Sequence, residues 1–249
     1  MPETLSGIVG VTLTFVLAGL VKGVAGMGLP TVVMGVLGIG MAPHKAAALL
    51  VIPSLVTNVW QSSFGRRLLR VLARTWPMLS VAAITTWMAA GLLTGRGADT
   101  GHLWLGSALV AYAAATLANF RICVPRRHEP WLSPAVGATT GIISGATGVF
   151  VIPAVPYLQA LGFEAAELVQ ALGLSFTVST LALAAGLAGH GAFPVGALEA
   201  STLCTLPALA GMSLGQLIRS RVDARTFRRL FLICLLGIGG ELIGHSLLE

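Results

Sequence analysis

The chain has 249 residues, of which 55% are hydrophobic and only 10% charged, and its mean hydropathy is +0.88. Soluble domains carry about 25% charged residues, so a surface this apolar excludes a water-soluble globular protein. A formal charge of +6 would suggest nucleic acid in a soluble chain, but here the basic residues sit in loops between apolar runs, where they report topology and no nucleic-acid partner.

The first apolar run covers 5–21. Met1–Ser6 holds Glu3 and no basic residue, and no convincing cleavage site follows, so no signal peptide is expected. The run leads into Gly19–Pro30, which reads GLVKGVAGMGLP, and then into a short apolar piece at 30–41. Longer runs follow at 47–60, 76–95 and 103–118. Beyond a charged, proline-containing linker, the series resumes at 132–149, whose end reads GIISGATGVFVIP over Gly141–Pro153. A second short piece at 150–161 precedes runs at 168–188, 196–218 and 230–248.

The two glycine-rich stretches are one motif written twice. Gly19, Gly23 and Gly26 pair with Gly141, Gly145 and Gly148, each 122 positions on, while Pro30 matches Pro153 with a slip of one. Gly40/Gly162 and Thr57/Ser179 keep the same offset. Most runs have the ~20 residues that cross a bilayer core; the two short pieces reach only about 18 Å. The expected fold is therefore all-α and polytopic, with ten helical segments in two five-segment repeats whose helices are broken. Residues 1–120 form the first repeat, 121–131 a cytoplasmic linker and 132–249 the second repeat.

Loop charges set the orientation. The basic clusters are Arg66, Arg67, Arg70 and Arg74, then Arg121, Arg126 and Arg127, then Arg219, Arg221, Arg225, Arg228 and Arg229. An even number of segments separates each from the next, so all three fall on one side, the cytoplasm by the positive-inside rule. Their counterparts are not basic: the loop at His190–Pro194 has no Lys or Arg, and Arg96 is offset by Asp99. Opposite charge in matching loops predicts an inverted repeat with both termini outside. The pair Pro43–Lys45 and Glu164–Glu167 runs against this pattern, but acidic residues weigh little in the rule.

The breaks suggest a site. Glycine tolerates backbone that other residues resist, and proline suits the first helical turn, so Pro30 and Pro153 mark new helix starts. A helix start carries unpaired N–H groups and partial positive charge. Two such starts converging at membrane depth would attract an anion. The candidate substrate-binding residues are Lys22, Gly23, Ala25, Gly26, Gly28 and Pro30 in the first break, and Ser144, Gly145, Thr147, Gly148 and Pro153 in the second. Lys22, whose counterpart is Ser144, costs at least ~2.5 kcal/mol at membrane depth; it either faces a cavity or snorkels to the interface. The glycines alternatively serve close helix packing of the GxxxG kind.

Neutral polar residues of the following long segments form the second cluster: Thr57, Asn58 and Gln61, with Gln170, Ser175, Thr177, Ser179 and Thr180. They supply donors for an oxyanion or interhelical hydrogen bonds. Cys123, Cys204 and Cys234 form no metal-like cluster, and no cofactor is expected. An enzyme is disfavoured: the run before Ser144–Gly145 is one residue too long for an intramembrane serine protease, and no phosphate-binding glycine loop occurs.

These paired G-x-x-x-G-x-x-G stretches, each followed by proline, resemble the TauE/SafE family of sulfite exporters and related permeases over nearly the whole chain. The resemblance implies export of sulfite, sulfoacetate or another sulfur-containing organic anion across a bacterial inner membrane. Thr147, Val149 and Ser144 depart from the family's glycine-rich or first-half pattern, so the half-sites are expected to differ in energy. The partners implied are a small anion and the lipid bilayer, with a homo-oligomer left open. An anion channel and a non-transporting scaffold subunit are the alternative readings.

Overall fold

The computed structural model describes residues 5–63, 67–94, 98–118, 123–193, 196–221 and 223–248. Arg66, Arg96, Arg121 and Pro194, and the side chains of Asp99 and Arg225, lie outside the described residues. The described chain is mostly helical and has no strand: α1 (Leu5–Ala25), α2 (Leu29–Gly40), α3 (Pro43–Ser63), α4 (Leu68–Thr94), α5 (Ala98–Leu117), α6 (Glu129–Thr147), α7 (Ala154–Ala160), α8 (Ala165–Gly189), α9 (Ala197–Ile218) and α10 (Ala224–Leu248). It is an all-α, multi-pass membrane protein. Five helices, α1, α4, α8, α9 and α10, are long and apolar enough to cross a bilayer on their own composition. Helix α3 is as long as α1 but carries Ser54, Thr57, Asn58 and Gln61 on a buried face. Large apolar side chains such as Leu13, Ile84, Trp87, Leu206 and Leu217 stay exposed around the bundle, as a lipid-facing surface requires.

The most extensive packings join helices from different halves: α4 with α6, α1 with α9, α5 with α10, α4 with α8, and α3 with α8 and α9. Exchanging each helix for its counterpart five positions along turns α1–α9 into α6–α4 and α3–α9 into α8–α4, and leaves α3–α8 and α5–α10 unchanged. The pattern is thus its own image. In the α3–α8 pair, Gly173 lies against Asn58 and Ser62 while Thr180 meets Ser54, so these counterpart helices run antiparallel.

The first two glycines of each motif explain the tightest seams. A Cβ on Gly19 would strike the Ala208 carbonyl, and one on Gly23 would lie 2.9 Å from both Gln216 N and Gly215 Cα of α9. Gly141 faces Ala82 and Thr85 of α4, and Gly145 faces Thr86 and Ala89. These four positions remain regular helix. Only the third glycines break it, Gly26 at φ 75° and Gly148 at φ 70°. The packing alternative therefore holds for Gly19, Gly23, Gly141 and Gly145, because backbone-to-backbone approach leaves no room for a methyl group.

One proline inside a helix frees a carbonyl that a neighbouring helix takes up. Pro53 in α3 has no N–H for the Leu49 carbonyl, and Ser201 Oγ of α9 donates to that oxygen at 2.8 Å while accepting from Ile52 N at 3.0 Å. After Gly148 the chain stays non-helical to Pro153, and α7 covers only Ala154–Ala160. This is shorter than the apolar piece predicted at 150–161. The β-branched Val149, Val151 and Ile152 are poor helix formers, and Pro153 disfavours helical backbone in the residue before it.

Most of the basic residues gather at one end of the bundle. Arg74 grips Glu129 with two bonds of 2.9 and 2.6 Å, donates to the Leu161 carbonyl at 2.9 Å and stacks over Phe163. Arg67 bonds Glu164 and Glu167 at 3.0 and 3.2 Å. The acidic loop that ran against the charge pattern is thus paired with the basic residues at this end. The starts of α4, α6 and α8 share the basic end, whereas His190, beside Gly91, marks the other. For an inverted five-plus-five arrangement, cysteines placed at Arg70 and Arg219 should react with impermeant reagents from the cytoplasm and those at Lys45 and His190 from outside. Labelling of Arg70 and His190 positions from the same side would exclude it.

Candidate functional site

Lys22 sits in the last turn of α1 and is 4% exposed. Its ammonium turns inward, away from the interface, and donates to Thr57 Oγ1 at 3.0 Å and to Asn58 Oδ1 of α3. The snorkelling alternative is therefore replaced by burial against neutral acceptors. Hydrogen bonds to a charged group contribute about 1.5–3 kcal/mol each, so two offset the ~2.5–3.5 kcal/mol cost of a lysine at membrane depth.

The direction of each bond is fixed from the far end. Thr180 Oγ1 of α8 donates to the Phe176 carbonyl at 2.6 Å, so it accepts from Ser54 Oγ at 3.0 Å. Ser54 in turn accepts from Asn58 Nδ2 at 3.0 Å, which leaves Asn58 Oδ1 to face Lys22. Thr57 spends its proton on the Pro53 carbonyl at 2.7 Å and can only accept from the lysine. An ammonium has three donors, and these contacts use two.

Beside Lys22 lies a cavity of about 390 Å³ lined by Lys22, Gly23, Gly26, Trp60, Gln61, Val169, Met212, Gln216 and Arg219. Arg219, just past the end of α9, places the cavity toward the basic end. Gln61 closes the inner side, donating to the carbonyls of Gly26 at 2.9 Å and Val169 at 3.4 Å. Its Oε1 is buried without a partner among the described residues. The left-handed Gly26 frees this carbonyl for Gln61, and no atom stands within 4 Å of where its Cβ would be.

The two breaks do not meet. Gln61 links Gly26 to Val169 in the second turn of α8, whereas Gly145 packs on the same turn of α4 as Gly186, near the end of α8. Val169 and Gly186 are about 25 Å apart along that helix. Gly148 lies against Met34 of α2. Gly28 caps α2 in the left-handed conformation with Pro30 in the first turn, and Pro153 caps α7. Helix α2 packs on α1, α3, α5 and α10, and α7 on α6 and α8, so the short helices are held by different neighbours.

Of the predicted residues, the structure joins Lys22, Thr57 and Asn58 in one network and puts Gly23 and Gly26 in the cavity wall. Ala25 is the half-buried last residue of α1. Gln170 donates to the Ser62 carbonyl at 3.0 Å and ties α8 to the end of α3. Ser175 is buried on α8, and Ser179 Oγ is buried without a partner among the described residues. Ser144 donates to the Val149 carbonyl at 3.3 Å and Thr147 to the Ile143 carbonyl at 2.7 Å, so both serve their own break. Carrying the cavity wall across by 122 positions replaces Gln61, Val169 and Met212 with Leu183, Ala47 and Ala90, all buried. Sequence reasoning missed Ser54, Trp60, Met212 and Gln216; the signal for Ser54 was its i−4 spacing from Asn58.

The paired breaks, the lysine in the first and the cavity beside it agree with one comparison: residues 11–242 match the family described as sulfite exporter TauE/SafE. The chain belongs to the TauE/SafE family. This makes it a membrane transporter from a family of sulfur-anion transporters. No curated protein and no solved structure matches the chain.

The two glycine roles in this TauE/SafE protein separate experimentally. Gly23→Ala pushes a methyl group into the α9 backbone, and overpacking costs about 1–3 kcal/mol. Gly26→Asn has space and a residue that tolerates left-handed backbone. Thermal unfolding in detergent should show a clear loss for Gly23→Ala and a small one for Gly26→Asn, with Gly26→Val worse than Gly26→Asn.

Proposed function

We propose that the protein exports a small sulfur-containing anion, such as sulfite or an organosulfonate, across the bacterial inner membrane. We place the binding site at Lys22, with Thr57, Asn58, Gln61 and Gly26 around it. The observation that carries this reading is the buried Lys22 ammonium, held among the described residues only by neutral acceptors at the wall of a cavity. The substrate supplies the missing negative charge through the third donor. The cavity lies toward the basic end, which the positive-inside rule assigns to the cytoplasm, the side from which an exported substrate loads.

Ser54 and Thr180 enter this reading as positioning residues, since they turn the Asn58 amide toward the lysine. Gly145, Gly148, Ser144, Thr147, Ser175 and Ser179 belong to the opposite half, whose counterpart of the cavity is filled in this conformation. The inverted relation of the halves makes that region the exit when the cytoplasmic cavity closes.

Lys22→Gln keeps a polar group of similar reach and removes the charge. In proteoliposomes it should lower saturable sulfite or sulfonate flux at least tenfold, since a hydrogen bond to a charged group contributes about 1.5–3 kcal/mol. Its unfolding temperature should stay near that of the unaltered protein. Unchanged flux with intact saturation would remove Lys22 from the site, and flux without saturation or counterflow would favour a channel.

A further inference from the structure

A second groove, separate from the cavity at Lys22, lies between the basic ends of α4 and α6. It holds about 560 Å³, with Arg70, Arg74, Arg126 and Glu129 on its polar side and Ala73 and Pro77 continuing along α4. Arg74 and Glu129 neutralise each other through their paired bonds. The groove's excess charge therefore comes from Arg70 and Arg126, both exposed. The carboxylate near Arg70 is Glu167, at 3.8 Å, and Glu167 also holds Arg67 at 3.2 Å. From Arg70 to Pro77 the groove descends about 10 Å along the helix, from the charged end into the apolar belt. Trp76 and Trp131 beside it are 59% and 63% exposed, and exposed tryptophans of this kind sit at headgroup level.

The opposite half provides an internal comparison. Ile8 and Val11 of α1 stand 122 positions before Pro130 and Ser133 of the groove. They line a groove of about 250 Å³ with Thr12, Leu49, Leu203, Cys204 and Pro207, without a charged residue. The two grooves share these α1/α6 positions but not their other walls, since Leu203, Cys204 and Pro207 stand 122 positions after Val81, Ala82 and Thr85; where they do correspond, the one at the basic end has arginines beside it and the other has none.

We propose that this groove binds an anionic phospholipid of the leaflet at the basic end. Arg70 and Arg126 hold its phosphate, and an acyl chain lies along Ala73 and Pro77. Juxtamembrane basic residues and basic pockets between membrane helices select anionic headgroups. The apolar wall favours a lipid over free phosphate, which would use only the arginines.

The test is native mass spectrometry of the purified full chain in detergent, titrated with phosphatidylglycerol, phosphatidylcholine or inorganic phosphate. Phosphatidylglycerol should remain bound at concentrations where phosphatidylcholine is lost, and millimolar phosphate should not displace it. In the variant Arg70→Gln/Arg126→Gln the preference should fall about twenty-five-fold, at roughly fivefold per arginine. Arg127→Gln/Arg229→Gln, which removes the same charge from exposed positions outside the groove, should keep it. Equal binding of the two lipids by the unaltered protein overturns the proposal whatever the variants do. So does displacement by phosphate, or a preference that survives in Arg70→Gln/Arg126→Gln.

Discussion

A positive charge buried in a membrane protein must be held by something, and much of this site follows from how Lys22 is held. Among the described residues no carboxylate bonds it; its bonds run to a hydroxyl and an amide oxygen of α3. That amide is turned by Ser54, and Ser54 is fixed by Thr180 of the other half. The orientation of the lysine thus depends on the α3–α8 contact, where the two repeats meet. Neutral partners stabilise the ammonium without cancelling its charge. An Asp at position 58 would hold it more strongly and leave nothing for an anion to neutralise.

The halves share a plan and differ in chemistry. Lys22 becomes Ser144, whose hydroxyl bonds its own break, and the polar cavity wall becomes Leu183, Ala47 and Ala90. The same divergence governs the loops. At the basic end, carboxylates on Glu129, Glu164 and Glu167 are matched by Arg74 and Arg67, so acidic residues there clamp helix ends together.

The sequence made the helices and the first polar cluster readable. Apolar run length places both ends of α1 within four residues and the end of α10 at Leu248, while α10 starts six residues before its apolar run because its first turns carry arginines. What each glycine does was harder to read. Gly23 and Gly26 belong to one motif and are equally glycine, but one faces a backbone and the other turns the chain; only the neighbouring helix decides which. Convergence of the breaks failed as an expectation because depth depends on where each helix starts, and the chain from Gly148 to Pro153 runs without helix. Ser201 was unreadable for a similar reason: its partner, the Leu49 carbonyl freed by Pro53, is 152 positions away.

The glycine seams also decide what can move. Gly19 and Gly23 lock α1 onto α9, and Gly141 and Gly145 lock α6 onto α4, at distances that exclude even a methyl group. Each locked pair takes one helix from either half. Sliding within a pair would drive one helix's backbone into the other's, so each behaves as a single stiff strut. The α3–α8 contact combines one such approach, Gly173 against the backbone of Asn58 and Ser62, with hydroxyl and amide bonds that can be exchanged for others. The mechanical parts of this molecule therefore cut across the two halves of its chain: each strut takes one helix from the first and one from the second.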